Sequence, residues 1–354
     1  EGAAILTRGL AIAMLGGLGV IALQWPIFSL GLMLSPASAE VEGLARGYLA
    51  IRVWSAPALI STLVITGWLI AAERTRAVLV LQVVMNGLNI VLDLVFVLQL
   101  GWGVDGVAIA TFIAEWSGLA LGLWFCRGAF ASPAWRDWAR VLDSARLRHF
   151  AQVNTDILIR SLLLQCIFVS FLLLGAGFGD VPLAANQILY QFMAITAFAL
   201  DGFAFAAETL VGQAMGARRR AALRRAALLC SVWAFVSGAL LAGAFATFGG
   251  TIIDVMTTAE PVRDMARIYL PYMVLAPVLG AAPFMLDGVF IGATRTREMR
   301  NMMALSVAIY ALAAAMLIPT FGNHGLWMAM LTSFVARAVT LGLRYRGLEA
   351  AVEA

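Results

Sequence analysis

Three polar side chains recur at helical spacing within one apolar stretch of this chain. Asn86, Asn89 and Asp93 are separated by three and four residues, which places them on one face of a helix. Asn89 and Asp93 can offer oxygens to a shared cation, or the amide can support a proton on the carboxylate. Thr111, in the next apolar stretch, can add a hydroxyl. The set predicts a binding site for a cation or a proton, and a polar cluster that holds helices together is the alternative.

The elements that must position these residues occur twice. YLAIRVWSAPALISTLVITGWLIAAERTR at 48–76 matches YLPYMVLAPVLGAAPFMLDGVFIGATRTR at 269–297, and the copies extend over 1–127 and about 221–346. At the places that match the polar face, the second copy has Ile309, Tyr310 and alanines. The fold therefore does not require the polar groups, and this asymmetry favours a functional role for them.

Composition places the chain in a membrane. Hydrophobic residues make up 62% of it and charged residues only 12%, too few to cover a soluble protein of this length. We predict an all-α, polytopic helical bundle in the lipid bilayer, made of two homologous halves. The ten predicted spans are 9–34, 44–72, 77–100, 104–127, 146–176, 181–213, 222–250, 262–292, 299–319 and 324–345.

The repeat also predicts the domain organisation. We expect an N-terminal bundle of four helices, a cytoplasmic linker, a six-helix bundle and a cytoplasmic tail, at 1–128, 129–145, 146–346 and 347–354. The first two spans of the second bundle have no counterpart before residue 1. We therefore expect six plus six helices in the intact protein, with about 75 further residues upstream. Without them, we expect no coupled antiport by this chain alone.

Arginine distribution predicts the orientation. All 24 basic residues are Arg, and most of them fall on alternate connections between spans, for example 74–76, 127–148, 218–225 and 295–300. That side is predicted to be cytoplasmic, with both chain ends on it. The net charge of +4 is then explained by topology, and no nucleic-acid partner is expected.

The second half contributes further acids within apolar segments. Asp156 and Arg160 are one turn apart, which favours a structural ion pair. Asp201 and Asp287 are predicted to face a water-filled cleft, since unpaired carboxylates cannot remain in lipid. We expect the substrate cleft to bind an organic cation through acidic side chains and the faces of aromatic rings. The other candidate residues for this cleft are Asn86, Phe203, Phe205 and Glu208. A core of packed aromatic residues around Asp201 is the alternative.

Several function classes lack their signatures in the sequence. There is no phosphate-binding glycine loop, zinc motif or nucleophile–base pair with suitable spacing. We therefore predict that the chain is not an enzyme and has no cofactor other than the cation or proton bound at the polar face. We also predict a monomer.

Residues scattered over all ten spans resemble the multidrug and toxin extrusion (MATE) family, DinF-like branch. The resemblance covers 1–346, and its motifs include Ile51-Arg52 through Pro57, Asn86 through Asp93, Gly101 to Thr111, Ile159 to Gln165, Ala199 to Ala204 and Leu286-Asp287-Gly288. It implies a bacterial inner-membrane antiporter of two six-helix bundles, which exports organic cations in exchange for H⁺ or Na⁺ by alternating access. Asn89, Asp93 and Thr111 match three members of the family's cation site.

Two other functions stay open at this point. A flippase for lipid-linked sugars or other amphiphiles belongs to the same superfamily, but it should have a markedly cationic cavity, whereas we expect the buried charges here to be mostly acidic. A non-functional, truncated fragment is the other alternative.

Overall fold

The computed structural model of the chain describes residues 2–34, 39–131, 133–137, 141 and 143–352. Every regular element in these ranges is a helix, and ten helical segments are long and apolar enough to cross a membrane. The predicted fold class, an all-α polytopic membrane protein, is confirmed. The ten segments are Gly2–Ala22, Glu42–Ala71, Thr75–Gln99, Gly103–Phe125, Ser144–Ala176, Asp180–Gly216, Arg220–Met256, Glu260–Gly292, Thr296–Phe321 and Asn323–Ala350.

The chain divides into two compact units, Glu1–Leu147 and Arg148–Ala354, here called the N-terminal and C-terminal units. The N-terminal unit contains α1 Gly2–Ala22, α2 Gln24–Leu34, α3 Ala39–Arg52, α4 Ala56–Ala71, α5 Thr75–Asp93, α6 Gly103–Phe125 and α7 Arg127–Phe130. The C-terminal unit contains most of α8 Ser144–Ala176, then α9 Asp180–Gly216, α10 Arg220–Met256, α11 Glu260–Gly292, α12 Thr296–Phe321 and α13 Asn323–Ala350. The predicted linker 129–145 and tail 347–354 lie partly outside the described residues.

The first span begins earlier in the chain than predicted and includes an arginine. The predicted start was residue 9, whereas α1 begins at Gly2 and contains Arg8. Arg8 is buried, and its Nε donates a hydrogen bond to the carbonyl oxygen of Val141 at 2.9 Å. Because the guanidinium is satisfied inside the unit, its charge does not end the helix.

The second span is interrupted next to its proline. Its first part, α3, ends at Arg52, and a 3₁₀ turn over Val53–Ser55 precedes α4, which has Pro57 in its first turn. Proline is tolerated there because the first N–H groups of a helix have no partner within it. The other proline-rich span, α11, contains Pro271, Pro277 and Pro283 and stays continuous.

A tight connection sets α5 against α6. After Asp93 the helix widens into a π-helical turn over Leu94–Gln99, and Gly101 and Gly103 then take positive φ angles of +69° and +56°. Such angles favour glycine, which has no Cβ to clash. This connection brings Asn89 on α5 within hydrogen-bond reach of Thr111 on α6.

In the C-terminal unit, α9 and α11 pack with their backbones in close approach. A Cβ added at Gly288 would lie 2.3 Å from the carbonyl oxygen of Ala204, and one at Gly292 would lie 2.3 Å from that of Glu208. Small residues four apart commonly allow this approach between membrane helices. The contact places the neighbouring residue, Asp287, in the interior of the unit, where its exposed fraction is 5%.

Candidate functional site

The N-terminal unit brings Asn89 and Thr111 together. Asn89 Nδ2 donates a hydrogen bond to Thr111 Oγ1 at 3.2 Å, and the Thr111 hydroxyl donates to the carbonyl oxygen of Val107 at 2.9 Å. Within the described part of the chain, Asn89 Oδ1 accepts no hydrogen bond. Two neutral oxygen-bearing side chains thus face each other across α5 and α6, and one amide oxygen stays available as a ligand.

Asp93 ends α5 one turn beyond Asn89, where the helix widens into the π-helical turn. The residue is half-buried, and its Oδ1 is shielded from solvent without a hydrogen-bond partner. No described residue forms an ion pair with it. A buried carboxylate oxygen without a partner is costly, and a bound proton or cation removes that cost. π-helical turns also occur frequently at functional sites.

Asn86, on the same face in the sequence, has a different environment. Its side chain is exposed, and Nδ2 donates to the carbonyl oxygen of Gln82 at 2.8 Å and to Gln82 Oε1 at 3.3 Å. Both bonds stay within α5, so Asn86 makes no hydrogen bond to Asn89 or Thr111.

A charged pair next to this site was missed in the sequence. Glu115 lies one turn beyond Thr111 on α6 and is buried, and Arg52 at the end of α3 donates to both of its oxygens, at 2.7 and 2.9 Å. Arg52 Nη1 also donates to Ser55 Oγ at 2.7 Å. This bidentate geometry holds α6 against the interrupted second span. The signal in the sequence was an acid four residues after Thr111 in an apolar span.

In the C-terminal unit, the prediction that Asp287 is an unpaired carboxylate open to a cleft is wrong. Asp287 Oδ2 accepts hydrogen bonds from Arg337 Nη2 at 2.5 Å and from Arg160 Nη2. Arg337 is buried, with an exposed fraction of 2%. An isolated carboxylate in an apolar interior would be too costly, and these two guanidiniums supply its countercharge.

The predicted ion pair between Asp156 and Arg160 is also wrong. Asp156 Oδ1 accepts from Arg300 Nη1 at 2.6 Å, and its Oδ2 accepts from Thr296 Oγ1 at 3.3 Å. Arg160 instead pairs with Asp287. A pair one turn apart on a helix contributes only about 0.2–0.5 kcal/mol, so partners on other helices decide the pairing of buried charges. Arg337 was missed, although an arginine in the middle of the last apolar span was a visible signal.

The remaining candidates lie along α9. Asp201 is half-buried and close enough to Arg160 for their charges to interact. Phe203 and Glu208 are half-buried and Phe205 is exposed. Their role in a substrate cleft stays a prediction. The described residues contain no group of three or more His, Cys, Asp or Glu that could hold a metal ion, and the Na⁺ ligand set of Asn89, Asp93 and Thr111 also stays a prediction.

Comparison with known proteins identifies the family. The MatE family profile matches residues 3–95 and 157–317. The chain is 38% identical to DNA damage-inducible protein F from Escherichia coli over 96% of its own length and 74% of that protein. It is 27% identical to a probable multidrug resistance protein, NorM, from Caulobacter vibrioides over 99% and 76% of the two chains.

A solved structure shows the same fold. The Vibrio cholerae MATE transporter VcmN, in a mutant form, superposes with a TM-score of 0.85 over 98% of this chain and 84% of that one, at 20% identity. The ten membrane-spanning segments, the family profile and the relative from Escherichia coli agree. The chain therefore belongs to the MatE family of membrane transporters, in the DinF-like branch.

Proposed function

We propose that this protein is a secondary antiporter that exports organic cations in exchange for H⁺ or Na⁺ by alternating access, with Asn89, Asp93 and Thr111 as the coupling site. The proposal is supported by membership of a family of transporters and by similarity to a probable multidrug resistance protein. In such an exchanger the coupling ion and the organic cation must compete for the same charge. The protein then releases one of them as it binds the other.

The observation that carries the proposal is the state of Asp93. Its shielded Oδ1 has no hydrogen-bond partner and no described arginine neutralises it, while an amide and a hydroxyl lie one turn away and on the next helix. Protonation or Na⁺ binding neutralises this carboxylate, and loss of the ion restores its charge. Because a carboxylate in the membrane is stable only with such a partner, occupancy biases the conformation of the helices around it.

In this proposal, acidic and aromatic side chains of α9 bind the substrate. Asp201 is half-buried, and Phe203 and Phe205 lie within four residues of it. An acid near aromatic faces suits an organic cation. The predicted localisation is the bacterial inner membrane, with both chain ends cytoplasmic, and the predicted functional state is a monomer.

The test is transport by the Asp93→Asn variant of the full-length form in everted membrane vesicles, with a fluorescent organic cation as substrate and an imposed H⁺ or Na⁺ gradient. Asparagine keeps the size of the side chain but cannot take up a proton or carry a charge, so gradient-driven export should be abolished at an equal protein level. Asp264→Asn is the control, since Asp264 is exposed and its single ion-pair partner among the described residues is Arg267, at 3.3 Å. Undiminished export by Asp93→Asn would contradict the proposal.

A flippase for amphiphiles with anionic headgroups is the second candidate, and one observation favours it. Two guanidiniums, of buried Arg337 and half-buried Arg160, contact Asp287, and three of their N–H nitrogens have no hydrogen-bond partner among the described residues. Among the buried charged residues that the structure describes, acids outnumber bases as expected, but in this cluster the bases outnumber the acid. Vesicles with a fluorescent anionic lipid distinguish the two functions. Flipping that survives Asp93→Asn and stops in Arg337→Gln supports the flippase, and the opposite pattern supports the antiporter.

A further inference from the structure

An open cavity of about 540 Å³ lies among α10, α11 and α13 of the C-terminal unit, where α10 begins and α13 ends. Its volume is within the range of about 300–1,000 Å³ that is typical of small-molecule sites. One part of its wall is apolar and includes Leu286 and Val289, and the other is polar and includes Arg224, Arg346 and Glu349. The cavity is therefore amphipathic.

The polar wall carries an excess of positive charge. Glu349 is buried, and its two oxygens accept from Arg224 Nε at 3.1 Å and Arg224 Nη2 at 2.9 Å. Arg220 Nη2 lies 3.6 Å from the same carboxylate. Arg346 is exposed and makes no hydrogen bond or ion pair with any residue that the structure describes. Two guanidiniums thus contact one carboxylate, and Arg346 adds a further positive charge to the cavity wall.

The position along the helices matches the surface of a bilayer. The start of α10 and the end of α13 carry most of the arginines of these helices, at 220, 224, 225, 344 and 346. Arginines gather at the ends of membrane spans, where the long side chain keeps its charge among the headgroups and its stem in the apolar layer. The polar wall then lies at headgroup depth, and the apolar wall continues toward the acyl chains.

We propose that this cavity binds an anionic phospholipid. The phosphate is held by Arg346 and Arg224, Glu349 keeps the Arg224 guanidinium in place, and an acyl chain lies along Leu286 and Val289. Basic pockets between helix ends bind anionic headgroups for these electrostatic reasons, and each arginine contributes about fivefold in affinity. The hydrophobic wall requires an acyl chain, so free phosphate is not the ligand.

The test is a titration of the purified chain in detergent with dioleoyl-phosphatidylglycerol, with bound lipid counted by native mass spectrometry. Arg346→Gln should lower the affinity about fivefold. Its matched control is Arg344→Gln, two residues away on α13 and outside the cavity wall, which should stay within about twofold.

A second variant fills the space without touching the charges. Gly342 lines the cavity, and a Cβ there would meet nothing within 4 Å, so Gly342→Leu fits the helix and occupies the cavity. It should weaken phosphatidylglycerol binding at least as much as Arg346→Gln. Gly347→Leu is the control, because a Cβ at Gly347 also meets nothing within 4 Å and this residue lies outside the wall.

Two other ligands complete the experiment. Dioleoyl-phosphatidylcholine should bind at least fivefold more weakly, and an excess of inorganic phosphate should not displace phosphatidylglycerol. Equal binding of the two lipids, displacement by inorganic phosphate, or wild-type affinity in both Gly342→Leu and Arg346→Gln would overturn the proposal.

Discussion

The two units of this protein treat a membrane-embedded aspartate in opposite ways. Asp93 in the N-terminal unit has a shielded oxygen without a partner, close to the neutral Asn89–Thr111 hydrogen bond. Asp287 in the C-terminal unit is held by two arginines. A carboxylate fixed by two guanidiniums is already neutralised and gains little from a proton or Na⁺, whereas an unpaired one gains much. The comparison supports the proposed role of Asp93 in ion exchange and indicates a structural role for Asp287.

The internal repeat sharpens this contrast. In the second copy, the positions that match the polar face of α5 contain Tyr310 and alanines, and the Ser170 hydroxyl donates to Tyr310 Oη at 3.2 Å. A cavity of about 500 Å³ beside them is lined by apolar side chains, among them Ala311 and Ala314. The helical framework thus forms with or without the polar ligands, which supports a functional reason for their presence in the first copy.

The largest effect on stability is expected from Asp287→Asn. Removing this charge leaves the buried guanidinium of Arg337 and the half-buried one of Arg160 without their countercharge, which should lower the free energy of unfolding by about 3–5 kcal/mol. Thermal unfolding of the purified protein in detergent measures the loss. The control replaces all three residues together, Asp287→Leu with Arg160→Met and Arg337→Met, and should recover most of the stability. If Asp287→Asn unfolds like the wild type, the pairing is not structural.

These partners show where sequence reasoning stops. The ten spans follow from local apolar length, and the approach of Asn89 to Thr111 follows from two neighbouring spans joined by a short connection. The partners of Asp287 are 127 and 50 residues away in the chain, so no local rule identifies them. Helical spacing instead predicts an ion pair between Asp156 and Arg160. A pair one turn apart on a helix stabilises the structure too weakly to determine which charges are paired.

An intermediate effect is expected from Gly288→Ala, which tests how Asp287 is placed. The new Cβ would lie 2.3 Å from the carbonyl oxygen of Ala204, and a backbone atom cannot move aside without separating α9 from α11. We expect a loss of about 1–3 kcal/mol in the free energy of unfolding. Gly202→Ala on α9 is the control, because its Cβ meets nothing within 4 Å. Equal stability of the two variants would contradict the close approach of these helices.

The smallest effects are expected from the neutral ligands. Asn89→Ala or Thr111→Ala removes one oxygen and spares the charge of Asp93, so the ion concentration that gives half-maximal transport should rise about fivefold, equivalent to one hydrogen bond. Asn154→Ala is the control, since Asn154 is exposed and, within the described part of the chain, its side chain bonds to the carbonyl oxygen of Phe150 in its own helix and to no other residue. If either variant lost transport as completely as Asp93→Asn, the Asp93 carboxylate would not be the main ligand of the ion.

The most direct test of the account is the number of protons or Na⁺ ions released when substrate binds. Calorimetric titration of the purified protein with an organic cation, repeated in buffers of different ionisation enthalpy and at several Na⁺ concentrations, measures this number. We expect about one ion released per substrate by the wild type and none by Asp93→Asn, because the proposal places the exchanged ion at Asp93. Unchanged ion release in Asp93→Asn would contradict the assignment of Asp93 as the coupling residue.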